Sequence, residues 1–149
     1  MRREILLLLL LPVLAACRGT DLYTPQDLQQ VKQAYATIKP IYLAFRYAYH
    51  HHQTAGIVAN YHRERQACRL VDDINRRDTI DPGTNLFAAS DDLDSFCNDI
   101  EEAWSYWAPR HGYPYNKSVL PSRPTQEFLD GDFNLGKIGP YLRHPSHLS

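Results

Sequence analysis

Apolar side chains in the first half of the chain recur at alternating spacings of three and four residues. That spacing matches the period of an α-helix and places all of them on one face. The members of this stripe are Leu28, Val31, Tyr35, Ile38, Tyr42, Phe45 and Tyr49. A less regular pattern continues to Ile74, and the turn-forming Asp81-Pro82-Gly83 follows it. The pattern therefore predicts a long amphipathic helix.

The start of this helix and its weak points follow from individual residues. Thr24 suits the N-cap, Pro25 suits the first helical position, and Asp27 suits the acid of a capping box. Pro40 lies inside the stripe and removes a backbone donor, so we expect a kink close to it, or two abutting helices. Gly56 is a second weak point in the pattern.

A second helical stripe lies after the turn. Its members are Leu93, Phe96, Cys97, Ile100, Ala103, Trp104 and Trp107. Ser90 is the predicted N-cap, and the carboxylates of Asp91 and Asp92 in the first turn favour the helix dipole. The two stripes predict a mostly α fold, in which residues 24–108 form an antiparallel helical hairpin across a loop at residues 78–89.

The remaining residues, 109–149, form a segment of different character. Six of the ten prolines fall there, which disfavours long regular elements, yet the segment is too apolar for a solvated linker. We therefore expect an extended, irregular Pro/Tyr-rich C-terminal arm. The arm either covers its own hairpin or docks on a larger partner, and docking is the preferred interpretation. The candidate partner-binding residues are Tyr113, Tyr115, Phe128, Phe133 and Tyr141.

The N-terminus has the pattern of a bacterial lipoprotein signal. A basic start precedes an apolar run over residues 5–16, which is shorter than the ~20 residues that a membrane-spanning helix needs. The run ends in Leu-Ala-Ala-Cys at residues 14–17, which matches a lipobox. We expect residues 1–16 to be removed, Cys17 to be lipidated, and residues 17–23 to serve as anchor and tether to the lipid bilayer.

Charge and length exclude several functional classes. Removal of the leader takes away two arginines and one glutamate, so 149 − 16 leaves 133 residues with 14 basic and 16 acidic side chains, a balance of −2. A nucleic-acid-binding surface needs a concentrated excess of Lys and Arg, so we expect no nucleic-acid partner. The chain is also too short for a large multidomain enzyme.

Two cysteines remain once Cys17 is assigned to the lipid. In an exported protein an even pair of cysteines indicates a disulfide. Cys68 precedes the predicted loop by about as many residues as Cys97 follows the start of the second helix, so the hairpin would bring them to similar heights. We therefore predict a Cys68–Cys97 disulfide, the alternative being two buried free thiols.

The sequence contains few candidate catalytic or metal-binding residues. His50, His51 and His52 point about 100° apart on a helix and cannot chelate one ion together. His51 has no carboxylate one turn away, and neither these histidines nor His62 belong to a His-Glu-x-x-His pattern. The acidic residues of the second helix have the ordinary explanation of a solvated helix face. The sequence contains no haem c attachment, phosphate-loop or nucleophile-elbow motif. We therefore predict a protein without catalytic residues, resident metal or cofactor.

The lipobox ending at Cys17, the mature length and the Tyr- and Pro-rich character between Tyr113 and Tyr141 give the chain a family resemblance. It resembles the small lipoprotein subunit of the membrane-bound quinoprotein alcohol dehydrogenase complex of acetic acid bacteria. The resemblance implies a non-catalytic accessory subunit that anchors and stabilises a periplasmic dehydrogenase, which oxidises ethanol and reduces ubiquinone. Pyrroloquinoline quinone (PQQ) and haem c are then expected in the partners, a large dehydrogenase subunit and a cytochrome c subunit.

The resemblance favours a location on the periplasmic face of the inner membrane. Arg18, which follows the anchor, does not exclude the outer membrane. Two alternative functions also stay open at this point. One is a free-standing envelope lipoprotein with a structural or inhibitory role. The other is a metal or small-ligand binder that uses His50, His51, His52 and His62.

Overall fold

A computed structural model describes residues 21–125, 128–129 and 134–147, and this part of the chain is mostly helical. Four α-helices are present among the described residues, with no β-strand. The helices are α1 (Pro25–His50), α2 (Thr54–Arg77), α3 (Asn85–Trp107) and α4 (Asn134–Arg143), and a 3-10 helix, Ala108–His111, follows α3 directly. The predicted mostly α class and its hairpin arrangement are confirmed.

Helix α1 begins at the predicted capping box. The Thr24 hydroxyl accepts a hydrogen bond from the Asp27 amide, and the Asp27 carboxylate accepts one from the Thr24 amide at 2.9 Å. The same buried carboxylate accepts hydrogen bonds from Arg77 and from Thr79, each at 2.9 Å. Asp27 therefore joins the start of α1 to the end of α2.

The break in the first helical region lies at residues 51–53, not close to Pro40. Helix α1 continues through Pro40, which lies on the exposed side of the helix. Ala36, whose carbonyl loses its donor to the proline, is an exposed residue as well. The chain reverses instead after His50, where His52 adopts a positive φ of 52°. The predicted long first helix is thus two helices, α1 and α2.

Helix α3 begins six residues earlier than predicted, since its N-cap is Thr84 and not Ser90. The Thr84 hydroxyl accepts a hydrogen bond from the Phe87 amide at 3.1 Å. Ser90, the predicted cap, lies inside the helix and donates to the Asn75 side chain of α2 at 2.9 Å. The polar Ser90 thus serves the packing of α2 on α3, and the loop between the two helices shortens accordingly.

Successive helices run in opposite directions. Three contacts join α2 to α3: Asn75 with Ser90, Cys68 with Cys97, and Tyr61 with Glu101. The residue number falls along α2 as it increases along α3, so the two helices are antiparallel. At the far end of the chain, Asn85 at the start of α3 donates to a carbonyl just beyond the end of α4. Helices α3 and α4 are therefore antiparallel as well, and the four helices form an up-down-up-down bundle.

The predicted disulfide between Cys68 and Cys97 is present, with their Cα atoms 5.9 Å apart. It closes a loop spanning 29 positions of sequence separation. Cross-linking a loop of this size stabilises a protein by about 3 to 4 kcal/mol, chiefly through the unfolded state. The bridge joins α2 to α3 near the middle of the bundle.

The C-terminal arm contributes to the core of the bundle. Its side chains Phe128, Leu129, Leu135 and Ile138 are all buried. The Phe128 ring packs 5.4 Å from that of Tyr42 on α1 and 5.9 Å from that of Phe96 on α3. The arm thus covers its own hairpin through these residues, and it contains a regular element, α4, that the sequence pattern did not predict.

No helix in the described part of the chain is both long enough and apolar enough to cross a membrane. The predicted signal, residues 1–16, and the predicted lipidation site, Cys17, lie outside the described residues.

Candidate functional site

A cavity of about 410 Å³ opens at the end of the bundle opposite Thr24, and we call it the distal pocket. It lies where α1 passes into α2 and where α3 passes into the 3-10 helix. Its volume falls within the range of about 300 to 1,000 Å³ that is typical of small-molecule sites. The lining residues are Tyr49, His52, Thr54, Ile57, Tyr106, Trp107, Arg110, His111 and Arg123.

Stacked aromatic rings form one wall of the distal pocket and the layer behind it. The Trp107 ring lies 4.0 Å from the His111 ring, nearly parallel to it, and 5.6 Å from the Tyr113 ring. Behind them, Trp104 stacks on Tyr61 with ring centroids 3.9 Å apart. Such packed rings have few accessible rotamers, so the pocket wall is rigid.

Two arginines provide the charge of the distal pocket. The Arg110 guanidinium lies 3.8 Å from the centroid of the Tyr106 ring and donates to the Tyr106 carbonyl oxygen. Arg123 comes from the arm, which is fixed to α3 by a hydrogen bond from the Ser122 amide to the Glu102 carbonyl, 3.1 Å long. None of the described residues that line the pocket carries a carboxylate.

The pKa of the Tyr49 phenol depends on burial and on the charged and polar groups around the distal pocket. Burial raises the pKa of Tyr49 above its ordinary value, and the charge of Arg123 opposes that rise. The neighbouring Tyr106 phenol adds to the rise. The Arg123 cation thus favours negative charge at the Tyr49 phenol.

A second polar group lies beside the pocket, between α2 and α3. The Tyr61 hydroxyl donates to the Glu101 carboxylate at 2.9 Å, and Arg65 forms an ion pair with the same carboxylate. Burial, the Glu101 charge and this hydrogen bond all raise the pKa of Tyr61. The Glu101 carboxylate is thus already paired with Arg65.

Glu64 is a buried acid that sequence reasoning missed. It lies on the inner face of α2, fully buried, and neither carboxyl oxygen has a hydrogen-bond partner within the described part of the chain. Burial raises the pKa of Glu64 to about 8, a rise that the charge of Arg63 only partly opposes. The Glu64 carboxyl is therefore mainly protonated at neutral pH.

The four histidines considered as ligands do not converge. The His51 ring stacks on the Tyr47 ring at 4.0 Å, while His52 lines the distal pocket and His50 is exposed. His62 lies on α2 beside Tyr61, with ring centroids 5.3 Å apart. Among the residues that the structure describes, no three His, Cys, Asp or Glu side chains are grouped as a metal site requires.

The predicted partner-binding residues differ in their surroundings. Phe128 is only 5% exposed, because its apolar ring is part of this protein's own core; its contact with a partner stays a prediction. Tyr113 and Tyr141 are half-buried against the bundle, and Tyr115 is exposed. Phe133 lies outside the described residues.

Comparison with known proteins gives no relative for this chain: no protein-family model, curated protein or solved structure matches it. The resemblance to a dehydrogenase subunit therefore stays a prediction from the sequence.

Proposed function

We propose that this chain is a non-catalytic, lipid-anchored accessory subunit of a larger assembly at the periplasmic face of a membrane. By the resemblance of its sequence, that assembly is a membrane-bound dehydrogenase complex whose partner subunits carry PQQ and haem c. The observation that carries the proposal is the short distance along the chain between Cys17 and the capped start of α1.

The tether limits how far the bundle stands from its anchor. From Cys17 to Thr24 there are 24 − 17 = 7 peptide steps, and a chain of that length spans at most about 25 Å. Asp27 and Arg77 join the first turn of α1 to the end of α2, so the anchored end is a rigid part of the bundle. A lipid at Cys17 would therefore hold the whole bundle beside the bilayer, as an accessory subunit requires.

Exposed apolar side chains support contact with a partner. Leu43 and Tyr47 lie one turn apart on α1 and are 41% and 57% exposed. On the arm, Tyr115 is 37% exposed and Leu120 is 83% exposed. Aromatic side chains such as Tyr47 and Tyr115 are enriched at protein interfaces.

The test is capture of the chain from gently solubilised membranes. We expect the wild-type protein to bring down a large dehydrogenase subunit and a cytochrome, and we expect loss of the gene to lower ethanol-oxidising activity of the membranes. The Cys17→Ser variant should lose lipid labelling and membrane retention. Deletion of the gene with no effect on the activity or on the large subunit would contradict the proposal.

A free-standing envelope lipoprotein is the second candidate. The observation that favours it is the burial of Phe128, Leu129, Leu135 and Ile138 against the bundle, because an arm that is packed on its own domain leaves fewer residues for a partner. This alternative predicts a monodisperse monomer that is recovered without other proteins. Sedimentation of the detergent-solubilised chain distinguishes the two candidates.

A further inference from the structure

We infer that the distal pocket binds a small aromatic carboxylate, with its charge on Arg110 and Arg123 and its ring against Tyr106 and Trp107. This inference goes beyond the proposed accessory role, which needs no small ligand. It is independent of the anchor, because the pocket lies at the end of the bundle opposite Thr24. Helix α1 has 26 residues, so the two ends are about 39 Å apart.

The charge of the distal pocket favours an anion. Arg110 and Arg123 both line it, and neither forms an ion pair with a carboxylate of the described residues. A guanidinium has five N–H donors in a planar fork, and Arg110 uses one of them on the Tyr106 carbonyl. The remaining donors match the two oxygens of a carboxylate.

Arg110 is also held in place before any ligand arrives. Its guanidinium rests on the Tyr106 ring while it bonds the Tyr106 carbonyl, so the side chain has already lost much of its rotamer freedom. A preorganised cation costs less entropy on binding than a free one. This geometry distinguishes Arg110 from an ordinary solvated surface arginine such as Arg76.

The walls of the pocket favour a flat apolar body behind the charged group. Tyr106 and Tyr49 are half-buried in the wall, and Ile57 contributes a buried aliphatic group. Trp107 contributes the 7% of its surface that His111 and Tyr113 leave exposed. A simple inorganic anion would make no apolar contact with this wall. An aromatic acid would bury its ring on it and place its carboxylate at the arginines.

The test uses the full mature chain in detergent, titrated calorimetrically with three probes. The probes are 2-naphthoate, its uncharged amide 2-naphthamide, and acetate, which has the charge without the ring. We expect 2-naphthoate to bind at least about tenfold more tightly than either of the others, because only it satisfies both the arginines and the rings. Its affinity should fall as salt is added.

Two variants locate the binding. Arg110→Gln and Arg123→Gln should each weaken 2-naphthoate binding by about tenfold, since each removes a charge-assisted hydrogen bond. Both side chains are exposed, so the fold should persist, and circular dichroism checks this. Arg76→Gln is the matched control, because Arg76 is an exposed arginine near the opposite end of the bundle, and it should leave the affinity unchanged.

The inference is overturned by any of three results. The first is no measurable binding of 2-naphthoate. The second is equal affinity for 2-naphthoate and either of the other probes, which would mean that the charge or the ring is not recognised. The third is an unchanged affinity in both pocket variants, which would place the ligand elsewhere on the protein.

Discussion

The Glu64 carboxyl lies inside the bundle without the partners that a buried charge requires. Burial raises its pKa from an ordinary 4.5 to about 8 in the folded protein. Between those two values the folded state holds a proton that the unfolded state has released. Stability therefore falls as the pH rises from about 4.5 towards 8, and the full shift corresponds to at most about 5 kcal/mol.

We predict that Glu64→Gln removes most of this pH dependence. Asp99 acts in the same direction, since burial raises its pKa to about 6, so the interval from pH 6.5 to 8 reports mainly on Glu64. Urea unfolding at those two pH values should show that the wild-type protein loses about 2 kcal/mol more than the variant. Asp73→Asn, at an exposed position, is the control. Equal losses in wild type and Glu64→Gln would refute the prediction.

Asp27 is a buried acid of the opposite kind. Burial would raise its pKa, but hydrogen bonds from Thr24 and Thr79 and the charge of Arg77 outweigh burial and lower it. Its contribution to stability is present above an unfolded pKa of 3.8 and is lost as the pH falls through the lower folded value.

We predict that Asp27→Asn destabilises the protein by about 2 kcal/mol at pH 7, because the Arg77 ion pair and part of the capping box are lost. The difference from wild type should shrink as the pH falls through the lowered folded pKa of Asp27, because protonation makes that side chain neutral as well. Thermal unfolding at pH 7 and through the acid range measures this. The control Asp21→Asn, at an exposed position before the helix, should change the stability of the protein little. A loss of stability comparable to that of Asp27→Asn would show that Asp27 has no special role.

At the scale of the helices, Gly56 permits the close crossing of α1 and α2. A Cβ atom at Gly56 would lie 2.9 Å from the Ala48 Cβ, closer than two such carbons can approach. The Asn60 side chain also donates to the Gly56 carbonyl at 2.8 Å. The residue that sequence reasoning considered a weak point of a long helix is therefore a packing position between two helices.

We predict that Gly56→Ala destabilises the protein by about 1 to 2 kcal/mol, although alanine is the better helix former by about 1 kcal/mol. The steric overlap with Ala48 exceeds the gain in helix propensity. Adding Ala48→Gly to the variant should recover part of the loss by relieving the contact. Chemical denaturation of the single and double variants tests both statements, and a Gly56→Ala variant more stable than wild type would show that the helices separate easily.

The helices themselves were largely predictable, because apolar spacing and the Thr24 cap are local signals. The break at residues 51–53 was not, since three histidines carry no helix-terminating signal and the reversal depends on the contact at Gly56. Helix α4 was not predicted, because its sequence contains glycine and proline, which disfavour a helix. Gly139 is in fact a packing position, where an added Cβ would lie 3.4 Å from the Tyr35 hydroxyl.

The distal pocket was not predictable from the sequence, because its residues come from three separate stretches of the chain, residues 49–57, residues 106–111 and Arg123. Arg123 belongs to the arm, Arg110 to the 3-10 helix, and Tyr49 to the end of α1. Sequence spacing gives no distance between segments that meet only through tertiary packing. Glu64 was hidden for the same reason, since its burial depends on the helices around α2.

At the scale of the whole molecule, the arm completes the hydrophobic core. Tyr42, Phe96 and Phe128 form a cluster of rings from α1, α3 and the arm, with the Tyr42 and Phe96 centroids 4.9 Å apart. Ile138 of α4 is fully buried as well. A two-helix hairpin would leave this surface in water, so the arm is a structural part of the domain whether or not it also contacts a partner.

We predict that Phe128→Ala and Ile138→Ala each destabilise the protein by about 2 to 5 kcal/mol, because each removes a buried side chain and leaves a cavity. Urea denaturation measures the loss. Leu120→Ala, on the same arm but 83% exposed, is the matched control and should change stability by less than about 0.5 kcal/mol. If the two core variants unfolded at the same urea concentration as the control, the arm would not be packed on the bundle in solution, and its aromatic residues would again be free for a partner. A loss confined to the core variants would instead restrict partner contacts on the arm to its exposed residues, among them Tyr115 and Leu120.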